Sequence, residues 1–170
     1  LLALALPPDS HDSMTYHLAR VGYYLQQGSL EVFPTANVRQ TAFPANSEIL
    51  MLWQVLWLGT DRATALIQWC AGGALLIAVY VLARSLYFSR NRSLFASLVV
   101  LTFPEILLQS SSTQNDLLVA SFMVASLAFL ARSAVHPRQF RSYAFLAAVS
   151  IGLALGTKST VLMLMPGFVV

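Results

Sequence analysis

The stretch ATALIQWCAGGALLIAVYVLA, residues 63–83, decides the fold of this chain. It contains one side-chain amide, Gln68, and no charged residue. A helix of about 20 apolar residues crosses the roughly 30 Å of bilayer hydrocarbon. Further predominantly apolar stretches follow over residues 94–109, 117–131, 143–157 and 161–170. This pattern predicts an all-α protein, a polytopic bundle of transmembrane helices.

The composition agrees with a membrane protein. The chain is 57% hydrophobic and 10% charged, with a mean hydropathy of +0.67. Soluble domains carry about 25% charged residues, so water is a poor solvent for most of this surface. The single cysteine, Cys70, excludes an internal disulfide and a cysteine-based metal site.

The charges are distributed unevenly along the chain. Most of the basic residues fall in two short segments that contain no acid: Arg84, Arg90 and Arg92, then Arg132, Arg138 and Arg141. Short loops rich in Lys and Arg stay in the cytoplasm. The acidic loops are therefore expected on the extracytoplasmic face of a multi-pass integral membrane protein, in a bacterial inner or plasma membrane.

The first outer loop, residues 9–61, is predicted to contain two interfacial helices. One starts after a cap at Asp9 or Ser10 and ends at Gly28, and the other covers residues 46–59. In the first helix Asp12, Tyr16 and Arg20 share one face. We expect this polar stripe to be exposed, with the apolar face turned towards the membrane.

The two ends of the sequence predict that this chain is a fragment of a longer protein. Residues 1–6 have the character of the end of a first helix, no initiator Met is present, and the last residues lie in an apolar run. We expect residues 1–170 to be the N-terminal part of a single transmembrane domain, inactive alone.

Three short motifs resemble those of a known family. They are Asp12-Ser13-Met14-Thr15-Tyr16, Thr113-Gln114-Asn115-Asp116-Leu117-Leu118 and Gly152-Leu153-Ala154-Leu155-Gly156-Thr157-Lys158. Their order and topological side are similar to those in lipid-linked-sugar glycosyltransferases of the GT-C fold. The resemblance is closest to the group of dolichyl-phosphate-mannose–protein mannosyltransferases and aminoarabinose transferases. It implies a GT-C-like bundle whose interfacial helices lie in the first outer loop.

The resemblance also implies a reaction. A sugar would move from a polyprenyl-phosphate donor to an acceptor on the extracytoplasmic face in one inverting displacement. Asp12 would be the catalytic base, and Asp116 would orient donor or acceptor in the same cavity. The candidate ligands of the donor and its phosphate are Lys158, Arg39, Arg20 and Tyr16. The expected partners are membrane lipid, the lipid-linked sugar and an acceptor of unknown type (protein, lipid or glycan), with no cofactor and no nucleic acid.

Simpler interpretations of these residues remain open. Asp12 and Asp116 also suit helix N-termini, and Lys158 could be a snorkelling anchor. Asp9 is the fallback for the base, although a cap is its simpler role. His11 and His17 are too isolated to predict a metal site. Where the family often has a His or Glu before a proline pair, this chain has Ala42-Phe43-Pro44-Ala45, which also argues against a metal.

The alternative function is a transporter or lipid-carrier flippase. Such proteins place charged residues and broken helices near the membrane midplane. Here Glu105 is the one acid within a predicted span, and the other charges gather near helix ends. This distribution favours chemistry at the outer surface.

Overall fold

The computed structural model describes residue 8 and residues 10–168, with side chains up to residue 164. The predicted end of a first helix, residues 1–6, and Asp9 lie outside the described residues. Every regular element in the described part of the chain is helical. The all-α prediction is confirmed.

The N-terminal third contains short helices. A π-helical turn, Ser13–His17, runs directly into α1 (Leu18–Gln27), which is followed by α2 (Arg39–Ala42) and α3 (Asn46–Leu58). Gly28 and Gly59, with φ of 64° and 65°, end α1 and α3. A positive φ costs glycine little, so both helices stop at the predicted glycines.

Five further helices follow in the described part of the chain. They are α4 (Leu66–Ser85), α5 (Arg90–Val100), α6 (Pro104–Gln109), α7 (Asp116–Val135) and α8 (Phe140–Leu155), with 3₁₀ turns at Pro137–Gln139 and Ser159–Phe168. Two of them, α4 and α7, are long and apolar enough to cross a membrane. Only 28% and 33% of their most apolar segments are buried within the protein. Most of their apolar surface therefore faces outward, unlike that of a soluble core helix.

Side-chain hydrogen bonds show how these helices pack. The amide N–H of Leu118 donates to Gln68 Oε1 at 3.0 Å, which places the first turns of α4 and α7 side by side. Ser97 Oγ on α5 donates to Leu76 O at 2.7 Å, and Ser126 Oγ on α7 donates to Ala147 O on α8 at 3.0 Å. Serine is small enough for two helix backbones to approach closely while its hydroxyl is satisfied.

The structure divides the predicted span 94–109 into two helices. Residues 101–103 form a turn between α5 and α6, and Phe103 is extended, with φ −78° and ψ 117°. Pro104 explains the break, because its ring disfavours helical geometry in the preceding residue and it has no N–H to donate. The span itself stays a prediction.

The first helix faces the protein differently from our expectation. Tyr16 and Arg20 are buried, with 7% and 6% exposure, whereas Met14 is 56% exposed. The prediction of an exposed polar stripe is wrong at these two positions. The reason is tertiary, because the chain around Phe43 folds back over that face: its ring meets the Tyr16 ring edge-on at 5.8 Å, and its carbonyl accepts from Arg20.

Candidate functional site

A cavity of about 160 Å³ opens where the N-terminal segment meets the start of α7 and the chain after α8. The side chains that line it come from stretches far apart in sequence. Its polar wall consists of Asp12, Tyr16, His17, Arg39, Gln114, Asn115, Asp116, Thr157, Lys158, Ser159 and Thr160. Phe43 and Pro44 supply an apolar edge.

The π-helical turn brings one part of this wall together. The N–H of Leu18 donates to Ser13 O, five residues earlier, where an α-helix would use the fourth. In an α-helix positions i and i+5 point in different directions. The wider turn allows Asp12, Tyr16 and His17 to line the same cavity. π-Turns of this kind occur frequently at functional sites.

Asp12 is paired with Arg39. Arg39 Nη1 donates to Asp12 Oδ1 at 3.0 Å, and the guanidinium lies 5.8 Å from the centre of the Tyr16 ring. Just before α2, Asn37 Oδ1 accepts from the backbone N–H of Arg39 at 3.2 Å, and the Asn37 amide donates to Thr15 O at 3.0 Å. This local turn holds the guanidinium against the π-turn. Both charged side chains remain partly exposed, Asp12 at 47% and Arg39 at 40%.

Asp116 is paired with Lys158. Asp116 opens α7, and Lys158 follows α8, whose end lies beside the start of α7 because the two helices are antiparallel. Lys158 Nζ donates to Asp116 Oδ1. Beside this pair the buried Asn115 Nδ2 donates to Thr157 O at 3.1 Å, which fixes the two helix ends together. The pair is partly exposed at the cavity wall.

A third pair lies deeper, and sequence reasoning missed it. His17 Nδ1 and Glu48 Oε1 are 2.6 Å apart, with side-chain exposures of 4% and 0%. Ser47 Oγ donates to the other carboxylate oxygen at 3.0 Å. The available signal was Glu48 itself, one acid in the nearly continuous apolar run of α3, because a buried carboxylate needs a partner. Its partner lies 31 residues away in sequence, so the sequence does not identify it.

Tyr16 is a neutral member of the wall. Burial raises the pKa of its phenol well above the ordinary value, and the nearby charge of Glu48 raises the pKa further. The cations Arg20 and Arg39 act in the opposite direction without reversing the shift. Tyr16 can therefore donate a hydrogen bond at neutral pH but contributes no charge.

Of the six predicted site residues, the structure brings five to this cavity: Asp12, Tyr16, Arg39, Asp116 and Lys158. Arg20 does not line it. Arg20 donates from Nε to Tyr24 Oη and from Nη1 to Phe43 O, both at 2.8 Å, and is buried beneath the loop. These contacts hold Arg20 away from the cavity wall, and its assignment as a phosphate ligand stays a prediction.

Two further candidates lie outside the cavity wall. His11 is 79% exposed, 3.7 Å from Asp12, and Glu105 accepts from Gln109 Nε2 at 2.8 Å on an exposed face of α6. Among the described residues no group of three or more His, Cys, Asp and Glu side chains could hold a metal ion. The cavity wall itself offers cations, carboxylates and one imidazole.

Comparison with known proteins identifies one family. Residues 44–170 match the family described as dolichyl-phosphate-mannose-protein mannosyltransferase. The match includes Glu48, Asp116 and Lys158, whereas Asp12 and Arg39 precede it. No curated protein and no solved structure matches the chain.

Proposed function

Because the chain belongs to the dolichyl-phosphate-mannose-protein mannosyltransferase family, we propose that it transfers a sugar from a polyprenyl-phosphate donor to an acceptor on the extracytoplasmic face. The family indicates a membrane glycosyltransferase that uses a lipid-linked sugar. The polyprenyl carrier, the face and a single inverting displacement are our additions. Membership of this family also favours the transferase over a transporter or flippase.

The observation that carries the proposal is the meeting of Asp12, Arg39 and Lys158 at one cavity. Glycosyl transfer from a sugar phosphate requires a proton acceptor for the attacking hydroxyl and positive charge for the departing phosphate. These residue types lie together although Asp12 and Lys158 are 146 positions apart in the sequence. The arrangement matches both requirements of the reaction.

Asp12 is proposed as the base. Its Oδ1 accepts from Arg39, and no hydrogen bond to Oδ2 is found among the described residues. The carboxylate is nearly half exposed, so an acceptor hydroxyl can reach Oδ2. The hydroxyl proton would pass to this oxygen while the acceptor oxygen bonds to the anomeric carbon. The bond from that carbon to the phosphate oxygen would break, and its electrons would leave with the phosphate.

Arg39 and Lys158 are proposed to bind the phosphate. Each already contacts a carboxylate with one donor atom, and guanidinium and ammonium groups both have further N–H donors. A phosphate between them would receive charge-assisted hydrogen bonds from both sides. Asp116 would keep Lys158 in position and orient donor or acceptor. Tyr16 would contribute a neutral hydroxyl to the same wall.

The membrane placement extends the proposal to the whole fold. The apolar outward faces of α4 and α7 suit lipid, where the polyprenyl tail would also lie. The remaining spans, over 94–109, 143–157 and 161–170, and the interfacial position of α1 and α3 complete a multi-pass bundle. Trp53 and Trp57, 63% and 75% exposed on α3, support the interfacial position because tryptophan favours the headgroup layer.

The test is sugar transfer from a labelled polyprenyl-phosphate donor by the purified protein in nanodiscs. Asp12→Asn keeps the size and removes the basic carboxylate. General-base assistance contributes roughly 10²–10⁴-fold, so turnover should fall by about this factor while donor binding changes little. Asp61→Asn is the matched control, because Asp61 is an exposed acid of the same outer loop that does not line the cavity.

If the Asp12→Asn protein is fully active, the catalytic base must instead be Asp116 or Asp9. If Asn is tolerated at all three positions, the transferase proposal should be replaced by transport.

A further inference from the structure

Phe43 and Pro44 form the apolar edge of the cavity, and the reaction proposed above assigns them no role. The side chain of Phe43 is 42% exposed, whereas the other two rings of the described cavity wall, Tyr16 and His17, are buried. We infer that Phe43 is the platform on which the sugar of the donor packs, and that the buried Arg20 is the positioning residue that holds this platform at the cavity. The inference rests on the proposed donor and adds a determinant of sugar binding to it.

Arg20 is a buried cation that is satisfied by the backbone of this edge. It is 6% exposed, and no salt bridge to it is found among the described residues. Its Nε donates to Tyr24 Oη and its Nη1 to Phe43 O, both at 2.8 Å, and Nη1 also donates to Pro44 O at 3.4 Å. Burying a charge is costly unless hydrogen bonds satisfy it. Because two successive carbonyls supply these bonds, the guanidinium fixes the path of the chain at both residues.

The segment that carries the platform, residues 43–46, is also held at its other end. The backbone N–H of Asn46 donates to Gly156 O at 3.0 Å. Phe43 is extended, with φ −84° and ψ 152°, the conformation that Pro44 favours in the residue before it. The Phe43 ring meets the buried Tyr16 ring edge-on, with centroids 5.8 Å apart. The ring is therefore held in place before a ligand arrives, which lowers the entropic cost of binding.

The chemistry of a sugar matches this wall. A sugar ring carries hydroxyl groups at its rim and a patch of C–H bonds on its face. The hydroxyl groups need hydrogen-bond partners, and Gln114, Ser159 and Thr160 line the cavity with no side-chain hydrogen bond found among the described residues. The C–H patch needs apolar surface, and an aromatic face attracts C–H groups because it is the negative side of the ring quadrupole. Phe43 supplies such a surface at the same cavity.

The experiment compares two probes that differ only in the group joined to the phosphate. One is a short-chain prenyl phosphate that carries mannose, the sugar named by the matching family, and the other is the corresponding prenyl methyl phosphate. Both are phosphate diesters with one negative charge, so the ratio of their affinities isolates the contribution of the sugar. Isothermal titration of the protein in nanodiscs, without an acceptor, measures both Kd values. We expect wild type to bind the mannosyl probe more tightly.

Substitutions of Phe43 test the platform. Phe43→Leu keeps an apolar side chain and removes the ring, so it should weaken binding of the mannosyl probe about two- to tenfold, the size of an aromatic contact. Binding of the methyl probe should not change. Phe43→Tyr keeps the ring and should retain the wild-type ratio of affinities. Phe88→Leu, the matched control, removes a phenylalanine of similar exposure, 47%, that does not line the cavity, and should change neither affinity.

Arg20→Lys tests the positioning role. Lysine keeps the charge but lacks the planar fork that reaches Tyr24 Oη and the two carbonyls together. The variant should therefore lose the preference for the mannosyl probe while it binds the methyl probe as wild type does. If Arg20→Lys weakens binding of both probes equally, Arg20 acts on the phosphate or on the whole cavity, and the positioning role is wrong.

The outcomes separate this inference from the proposed function. Equal affinities of wild type for the two probes, or an unchanged ratio in Phe43→Leu, overturn the platform and leave the transferase proposal standing. A wild-type protein that binds neither probe contradicts the proposed donor instead. Thermal unfolding of each variant checks its fold. If Arg20→Lys does not fold, Tyr24→Phe, which removes one partner of the guanidinium, tests the positioning role by the same ratio.

Discussion

The two ends of the α4–α7 pair carry their charges in different ways. At the cavity end Arg39 and Lys158 are each bonded to a carboxylate. At the other end the segments 84–92 and 132–141 hold six arginines and no acid, and Arg84 donates to the carbonyl of Phe88. Paired charges hold donors in fixed directions, which suits one specific anion. A surface of a single sign acts at longer range and suits anionic lipid headgroups.

The largest effect should come from labelling the two ends. In a Cys70→Ser background, Ala36→Cys lies in the outer loop and Asn91→Cys in the arginine-rich segment, and both positions are exposed. From the charge asymmetry we expect the two positions to lie on opposite sides of the membrane. A membrane-impermeant thiol reagent applied outside intact cells should label position 36 and leave position 91 unlabelled until the cells are lysed. The reverse pattern would invert the topology and place the cavity in the cytoplasm.

Removing one cation at each end sharpens the comparison. Lys158→Met should weaken binding of the lipid donor about ten- to a hundredfold and lower turnover, because a hydrogen bond to a charged group contributes about 1.5–3 kcal/mol. Arg138→Met removes an exposed cation at the other end and should leave donor affinity unchanged. Equilibrium binding and transfer assays on both variants test this. Equal losses would mean that overall positive charge, and not the paired cavity, attracts the donor.

A smaller effect, on stability, is expected from changing the contact between Asn46 at the start of α3 and Gly156 at the end of α8. A Cβ at Gly156 would collide with the Asn46 amide, which donates to Leu153 O at 3.3 Å. Gly156→Ala should lower the free energy of unfolding by about 0.5–1.5 kcal/mol, the contribution of one hydrogen bond. Gly152→Ala, with open space around it, should stabilise α8 by up to about 1 kcal/mol. Denaturation of both variants in detergent measures the difference. Equal stabilities would show that the junction is loosely packed.

The smallest effect concerns Tyr16. Because its pKa in the folded protein is raised, the phenol's contribution to stability is complete below about pH 10, where the unfolded phenol titrates, and declines above it. Between pH 10 and 10.5 wild type should therefore lose stability relative to Tyr16→Phe by less than about 0.7 kcal/mol, since one pKa unit corresponds to about 1.36 kcal/mol. Parallel unfolding curves at both pH values check this. If the stability difference between wild type and Tyr16→Phe is the same at both pH values, Tyr16 is more solvated than the structure indicates.

Some of these features were predictable because their causes are local. Apolar length predicted the helices that became α4 and α7, and glycines with positive φ ended α1 and α3 where expected. Asp12, Arg39, Asp116 and Lys158 were identified from motif and charge, and they meet at one cavity. The helix break before Pro104 can also be predicted from the sequence, since a proline disfavours helical geometry in the residue before it.

By itself the sequence determined most of the helical segments and the glycines at which two of them end, because propensity, capping and hydrophobicity act over a few residues. Only the tertiary structure decided the partners: Arg39 for Asp12, Lys158 for Asp116 and Glu48 for His17. It also buried Arg20 and widened one turn so that residues 12, 16 and 17 share a wall. The three pairs join residues between 27 and 42 positions apart, brought together by helix packing, and no local periodicity encodes that approach.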